Sequence, residues 1–292
     1  MVTPQEEQPQ LGKALGLNIP LLFKREDLHP FGSHKGRSIP YMIEQYAGGG
    51  HTKFAISSSG NAALAAGLFV QDYNVKFPES PLRLDIYVGE NINPAKYQTL
   101  KQLKRSNDTQ ITITQTDSPK QTVHKLNKAG EAKALRQSND DLALTGYKSL
   151  VDELKEIQNV GAVFIPTSSG TTAQALAEGG LPVYVVQPGS CHPIAEMWDI
   201  ECPTEENVFA DAIVDIVALR KDKIHALAKG GFVVSNAEIE KAIKLAKTHT
   251  GIEFSPNAAL SLAGLTHALN KGWQPASAGR ETGPIVCLIT GH

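Results

Sequence analysis

The sequence predicts an α/β protein with mostly parallel sheets, and three observations carry that prediction. Strand-like apolar runs alternate with segments of helical apolar spacing along most of the chain. Several of these runs are continuous rather than alternating, as strands covered on both faces are. The chain has 292 residues, 41% of them hydrophobic, enough to bury a large core in one compact unit of two subdomains.

The first informative segment runs from Phe23 through Lys24-Arg25-Glu26-Asp27 and Gly32-Ser33-His34-Lys35 to Arg37. Gly32-Ser33 reads as a turn, and Lys35 stands just past it, where a helix begins. Gly48-Gly49-Gly50 precedes a strand instead of following one, so its amides open no helix and it also reads as a turn. Lys53–Ser57 is a strand, and Ser57-Ser58-Ser59-Gly60-Asn61 leads from it into a helix over 61–70. Strands over 82–88 and 110–116 flank a helix over 95–104, with Gly, Pro, Ser or Asn at their ends. Residues 118–142 are polar with scattered lysines; they read as either a surface helix or a loop, with no chemistry assigned.

A helix over 149–158 precedes the strand Ala162–Pro166, which passes through Thr167-Ser168-Ser169-Gly170-Thr171-Thr172 into a helix over 172–178. A strand over 183–187 follows, then helices over 237–248 and 257–269, the last rich in Ala and Leu after Ser255-Pro256. The chain closes with the apolar strand Ile285–Ile289 and Thr290-Gly291-His292. There is no internal repeat and no low-complexity tract.

Composition excludes several function classes. The formal charge is −2 with both signs interspersed, which gives no basic stripe for nucleic acid and no polybasic membrane patch. The polar, acidic start Met1-Val2-Thr3-Pro4-Gln5-Glu6-Glu7 lacks the layout of a signal peptide, and no apolar run approaches a bilayer span. Cys191, Cys202 and Cys287 form no CxxC pair, which suits a reducing compartment. Cys191, His192 and Cys202 match no common zinc spacing, so no metal is expected. A cytoplasmic enzyme acting on a small molecule fits these features.

The chemistry concentrates in the loops. After each of two strands, consecutive Ser, Thr and Gly residues open a helix, where backbone N–H groups converge on an anion. An ordinary capped helix also wants Ser or Thr there, but the six residues from Thr167 to Thr172 exceed what a cap needs. Lys35 is the lysine held between a Gly-Ser turn and a helix start, where the positive dipole end favours the neutral amine that imine formation requires.

In order, Lys-Arg-Glu-Asp before Gly-Ser-His-Lys, then Ser-Ser-Gly-Asn, the Ser/Gly/Thr loop and Thr-Gly-His resemble the fold-type-II pyridoxal-phosphate enzymes. Within that family they are most similar to the threonine synthases, and the resemblance runs from about residue 21 to residue 292. It implies a tryptophan synthase β-like architecture of two three-layer α/β/α domains with pyridoxal 5'-phosphate (PLP) in the cleft between them. Residues 1–35 and 146–292 would form the larger, cofactor-holding domain, residues 36–145 a smaller mobile one, and two chains a homodimer.

The same resemblance assigns roles. Lys35 would be the catalytic Schiff-base lysine. Thr167, Ser168, Ser169, Gly170, Thr171 and Thr172 would hold the cofactor phosphate, and Thr290 would meet the pyridine nitrogen. Ser58, Ser59, Gly60 and Asn61 would bind the substrate α-carboxylate, with Asn61 also reaching the cofactor's phenolic oxygen. His34, similar to the histidine before the lysine in tryptophan synthase β chains, is either a phosphate contact or a polar turn residue. Arg37, Lys96 and Lys148 are the cations to test for a substrate phosphate.

Departures from the family pattern lie at Gly36, where many relatives carry Asp, at Ala62, where many carry a hydroxyl or histidine, and at Ser255, where Glu is usual. The implied reaction is O-phosphohomoserine plus water to threonine plus phosphate. Serine or threonine ammonia-lyase and a β-replacement synthase share the same core, and a non-catalytic PLP or amino-acid binding protein is the reading from another class.

Overall fold

A computed structural model describes residues 2–103, 110–199, 202–275 and 283–291. In chain order the elements are β1 (Gln5–Glu7), α1 (Pro9–Ala14), β2 (Leu21–Arg25), α2 (Lys35–Gly48), β3 (Lys53–Ser57), α3 (Asn61–Lys76) and β4 (Arg83–Gly89). Next come α4 (Pro94–Leu103), β5 (Ile111–Thr116), α5 (Pro119–Lys128), β6 (Lys133–Ala134), α6 (Leu142–Gly146), α7 (Lys148–Lys155), β7 (Ala162–Pro166) and α8 (Thr171–Glu178). The last are β8 (Val183–Pro188), α9 (Lys221–Leu227), β9 (Gly230–Val234), α10 (Asn236–Thr250), α11 (Pro256–Asn270) and β10 (Ile285–Ile289). Lys104, the end of the helix expected over 95–104, and His292 of the final tripeptide lie outside the described residues.

The chain divides into two compact units: Met1–His29 with Tyr147–His292, and Pro30–Gly146. The first holds a sheet of order β1-β2-β10-β7-β8-β9, parallel throughout except that β1 runs antiparallel to β2. Strands β7, β8 and β10 are buried along their whole length, which explains why they read as unbroken apolar runs. Helix α11 packs across β7, β8, β9 and β10 and is buried on nearly every side. Its Gly264 faces Val186 so closely that an added Cβ would stand 2.3 Å from a valine methyl. Phe164, Tyr184 and Trp273 cluster at the edge of this core, the first two stacked and the indole edge-on to both.

The second unit holds a wholly parallel sheet of order β5-β4-β3-β6. Ile39, Met42 and Ile43 of α2, Ala63, Ala66 and Val70 of α3, and Leu84 and Ile86 of β4 form its core. Gly67 lets α3 approach Leu103 of α4, where a Cβ would meet a methyl at 2.6 Å. The ambiguous 118–142 stretch contains α5 and the short β6; only Val123 of α5 is buried, hence its polar appearance. Gly48 ends α2 and Gly50 takes φ +92°, so the triple glycine is a helix stop and turn.

Among the described residues no helix is long and apolar enough to cross a membrane.

Candidate active site

In the Pro30–Gly146 unit, the turn before Lys35 is set by Gly32 at φ +81°, a conformation glycine adopts without penalty. A Cβ there would stand 2.9 Å from Leu64 Cδ2, so the turn rests on the first turns of α3. Ser33 is buried; its hydroxyl accepts the Lys35 N–H at 3.2 Å and its carbonyl accepts the Gly36 N–H at 2.9 Å. Lys35 is thereby the half-buried first residue of α2. His34 precedes it as the N-cap, and its carbonyl accepts the Arg37 N–H at 3.1 Å.

Helix α3 begins at Asn61, immediately after the Ser58-Ser59-Gly60 loop that leaves β3. Gly60 donates its N–H to Ser58 Oγ at 3.3 Å and accepts from Ala63 and Leu64 at 3.0 and 3.1 Å. A Cβ at Gly60 would meet nothing within 4 Å, so the space before this helix start is open. The contact of Gly32 with Leu64 brings the Lys35 turn and the Asn61 helix together within one unit.

The other unit contains the second pair of motifs. Strands β7 and β10 are parallel neighbours, so Thr167, which follows β7, and Thr290, which follows β10, emerge at the same edge of the sheet. Ligands in open α/β sheets bind at this carboxyl edge of the strands. Both threonines are buried, at 5% and 6% exposure. Gly170 caps α8 in the left-handed region at φ +86°, and Ser169 Oγ lies 3.0 Å from Thr171 Oγ1. Such a turn directs successive amides to one side, an anion-binding concavity.

Several residues that shape this loop carry no sequence motif. Gln187, wholly buried, donates to the Thr167 carbonyl at 3.0 Å and accepts from the Ile194 and Ala195 amides at 2.8 Å each. Ser168 Oγ donates to Asp215 Oδ2 at 3.0 Å and accepts the Val214 and Asp215 N–H groups at 3.1 Å each. Arg220 donates to Gln174 Oε1 of α8 at 3.1 Å. These partners lie tens of positions from the loop in sequence, and nothing local marks them.

A family model described as pyridoxal-phosphate dependent enzyme matches residues 1–291. The chain belongs to the pyridoxal-phosphate dependent enzymes. Solved structures agree in fold. A PLP-dependent aspartate racemase superposes with a TM-score of 0.82 at 18% identity, covering 100% of this chain and 90% of the other. Maize serine racemase gives 0.81 at 18% identity, covering 99% and 87%. The processed form of threonine deaminase isoform 2 from Solanum lycopersicum gives 0.80 at 20% identity, covering 99% and 78%. A search of curated proteins finds no match.

The residues present fit PLP. Its phosphate needs several donors, and the start of α8 supplies amides turned by the left-handed Gly170 together with the paired hydroxyls of Ser169 and Thr171. Its ring nitrogen needs one polar partner, and Thr290 brings a hydroxyl to the same sheet edge. Of the cations considered for a substrate phosphate, Arg37 is buried in α2 at 6% exposure, while Lys96 is half-buried in α4 and Lys148 exposed at the start of α7.

Proposed function

We propose that the chain is a PLP-dependent lyase that eliminates from the β or γ carbon of a small amino acid. The observation that carries this reading is Thr290. A neutral hydroxyl cannot hold the pyridine nitrogen protonated as a carboxylate would, which suits elimination and replacement more than transamination. When bound, PLP supplies an electron sink for negative charge at the substrate α-carbon.

Lys35 would hold the cofactor's aldehyde carbon and, once the substrate amine replaces it, move the proton at the α-carbon. The amides of Ser58, Ser59 and Gly60, with Asn61, would orient the α-carboxylate, and Asn61 would reach the phenolic oxygen. The loop running from Thr167 to Thr172 would cradle the phosphate, with His34 as a further contact.

Two substrate readings follow. Threonine synthase, taking O-phosphohomoserine and water to threonine and phosphate, is supported by the Thr290-Gly291 ending and the ordered motifs. Ammonia release from serine or threonine is supported by likeness to the tomato threonine deaminase and to a fungal L-serine ammonia-lyase from Rhizomucor miehei. A homodimer belongs to the same proposal; the large apolar side chains exposed at Val214, Ile216 and Val217 are consistent with a covered face.

The test is a visible spectrum of the protein with PLP before and after borohydride, beside Lys35→Ala, followed by phosphohomoserine, serine and threonine. A reducible band absent from Lys35→Ala supports the reading. Phosphate release from phosphohomoserine, or ammonia release from serine or threonine, then selects the substrate. No band with wild-type protein would overturn it in favour of a binding protein on this fold.

A further inference from the structure

The loop between β7 and α8 is shaped from outside by a strap, residues 207–220. Ser168 Oγ accepts two strap amides and donates to Asp215. A hydroxyl has one hydrogen and two lone pairs, so the side chain is fully used by these three bonds. At the strap's far end the Arg220 guanidinium grips Gln174 in α8. Between these ties, Ile224 Cδ1 and Ile194 Cδ1 lie 2.2 and 3.2 Å from where a Cβ on Gly170 would stand.

The strap's first half is anchored by apolar burial, Ala210 and Ile213 lying in the core of this unit with Phe209 packed against it. Its second half is not: Ala218 is buried, but Val214, Ile216, Val217 and Leu219 are 55%, 82%, 76% and 59% exposed. Polar ties therefore do much of the holding there. A third tie is Asn257 at the start of α11, which accepts the Ala212 N–H at 2.9 Å and donates to Asp211 at 3.1 Å.

Resting on the cofactor reading above, we propose that Ser168 and Asp215 are positioning residues for the PLP phosphate, and that the Ser168 hydroxyl is not one of its ligands. Their bond fixes the loop so that the amides of Ser169 to Thr172 and the hydroxyls of Ser169 and Thr171 face the phosphate. The two possible roles of Ser168 predict opposite signs for one substitution. Were Ser168 a direct ligand, Asp215 would be a negative charge beside a phosphate, and its removal would tighten binding. As the anchor of a latch, its removal loosens binding.

The experiment titrates apo protein with PLP and, separately, with pyridoxal, which carries the same aldehyde without the phosphate. Asp215→Ala and Ser168→Ala should each weaken PLP by about five- to tenfold, the scale of one buried hydrogen bond. The double variant should lose no more than either single, because both break one unit. Asp215→Asn keeps an acceptor and should stay near wild type, and pyridoxal affinity should not move in any variant. Unchanged or tighter PLP binding by Asp215→Ala, additive losses in the double, or pyridoxal weakening in step with PLP would each overturn the latch. If Ser168→Ala does not fold, Asp215→Ala alone still decides the sign. Wild-type protein that takes up no PLP would reject the cofactor reading itself, whereas uptake with indifferent variants rejects only the latch.

Discussion

Lys24 Nζ lies 2.5 Å from Glu153 Oε2, and the two side chains are 1% and 9% exposed. Lys24 also donates to the Thr3 carbonyl at 2.9 Å, while Thr3 donates its hydroxyl to the wholly buried Glu26. The Lys-Arg-Glu-Asp motif thus works as a fastener: from β2 it ties the chain's first residues to α7. Lys24→Met would leave Glu153 buried without its lysine and should destabilise the protein by about 3–5 kcal/mol. Lys24→Met with Glu153→Leu should regain most of that loss, since a well-packed apolar pair can match a buried ion pair. Denaturant unfolding of the two variants beside wild type measures both quantities; equal losses in both would refute the account.

A second pair, between buried His267 and half-buried Glu238, gives a dependence on pH. His267 Nδ1 lies 2.6 Å from Glu238 Oε1, and Ser235 donates to Glu238 from its N–H and hydroxyl at 2.8 and 2.9 Å. Burial by itself would raise the Glu238 pKa, but the hydrogen bonds from His267 and Ser235 outweigh it and bring the group down to about 2. A depressed folded-state pKa means stability that is present above the ordinary value of 4.5 and lost as pH falls toward 2. Glu238→Gln should therefore melt below wild type at about pH 6, and the gap should close steadily between about pH 5 and pH 2. Thermal unfolding across that range checks it, and a gap independent of pH would exclude this assignment.

The strands β3, β7 and β10 are legible in sequence to the residue: burial makes β7 and β10 continuous apolar runs with clear breakers at their ends, and β3 has a buried Phe-Ala-Ile centre flanked by half-buried Lys53 and Ser57. Strand β2 is not among the strands the sequence predicts: charged Lys24 and Arg25 break its apolar run, yet both are buried against carboxylates brought from Glu153, Glu6 and Asp27. Strand β9 is missed for another reason. Its Gly230-Gly231 carries no strand signal, yet Gly231 is a strand residue pressed against Trp198, Val185 and Ala195 with no room for a side chain. At the proposed site, the Ser/Gly/Thr loops announce themselves because a turn that directs several amides to one side is built from consecutive small residues. Asp215, Arg220 and Gln187 do not, since each reaches the loop by tertiary contact.

Gly170 tests how closely the loop tolerates change. Its φ of +86° penalises any side chain, and the Ile224 methyl occupies the place of a Cβ. Gly170→Ala should cost about 1–3 kcal/mol from the left-handed backbone, with a similar overpacking penalty if the loop cannot shift. If it shifts, the cost appears instead as weaker PLP binding. Thermal unfolding of the apo form and a PLP titration together capture either outcome; an alanine variant unaltered in both would show that the loop is not held as described.

Thr290 decides the chemistry we assign, and its variants separate binding from turnover. It follows β10 at the sheet edge where the 167–172 loop leaves β7, and it is almost fully buried. Thr290→Val keeps the volume and removes the hydroxyl. PLP should still attach to Lys35, while turnover falls by about tenfold, one hydrogen bond's worth. Thr290→Ser should retain most activity. Thr290→Asp brings a carboxylate that would hold a proton on the ring nitrogen and strengthen the electron sink, so keto-acid formation from the amino acid should rise while elimination falls. Product analysis with each variant reads this directly. Valine turning over like wild type would remove Thr290 from the reaction, and an aspartate variant with an unchanged product ratio would show that ring protonation does not govern the choice of reaction.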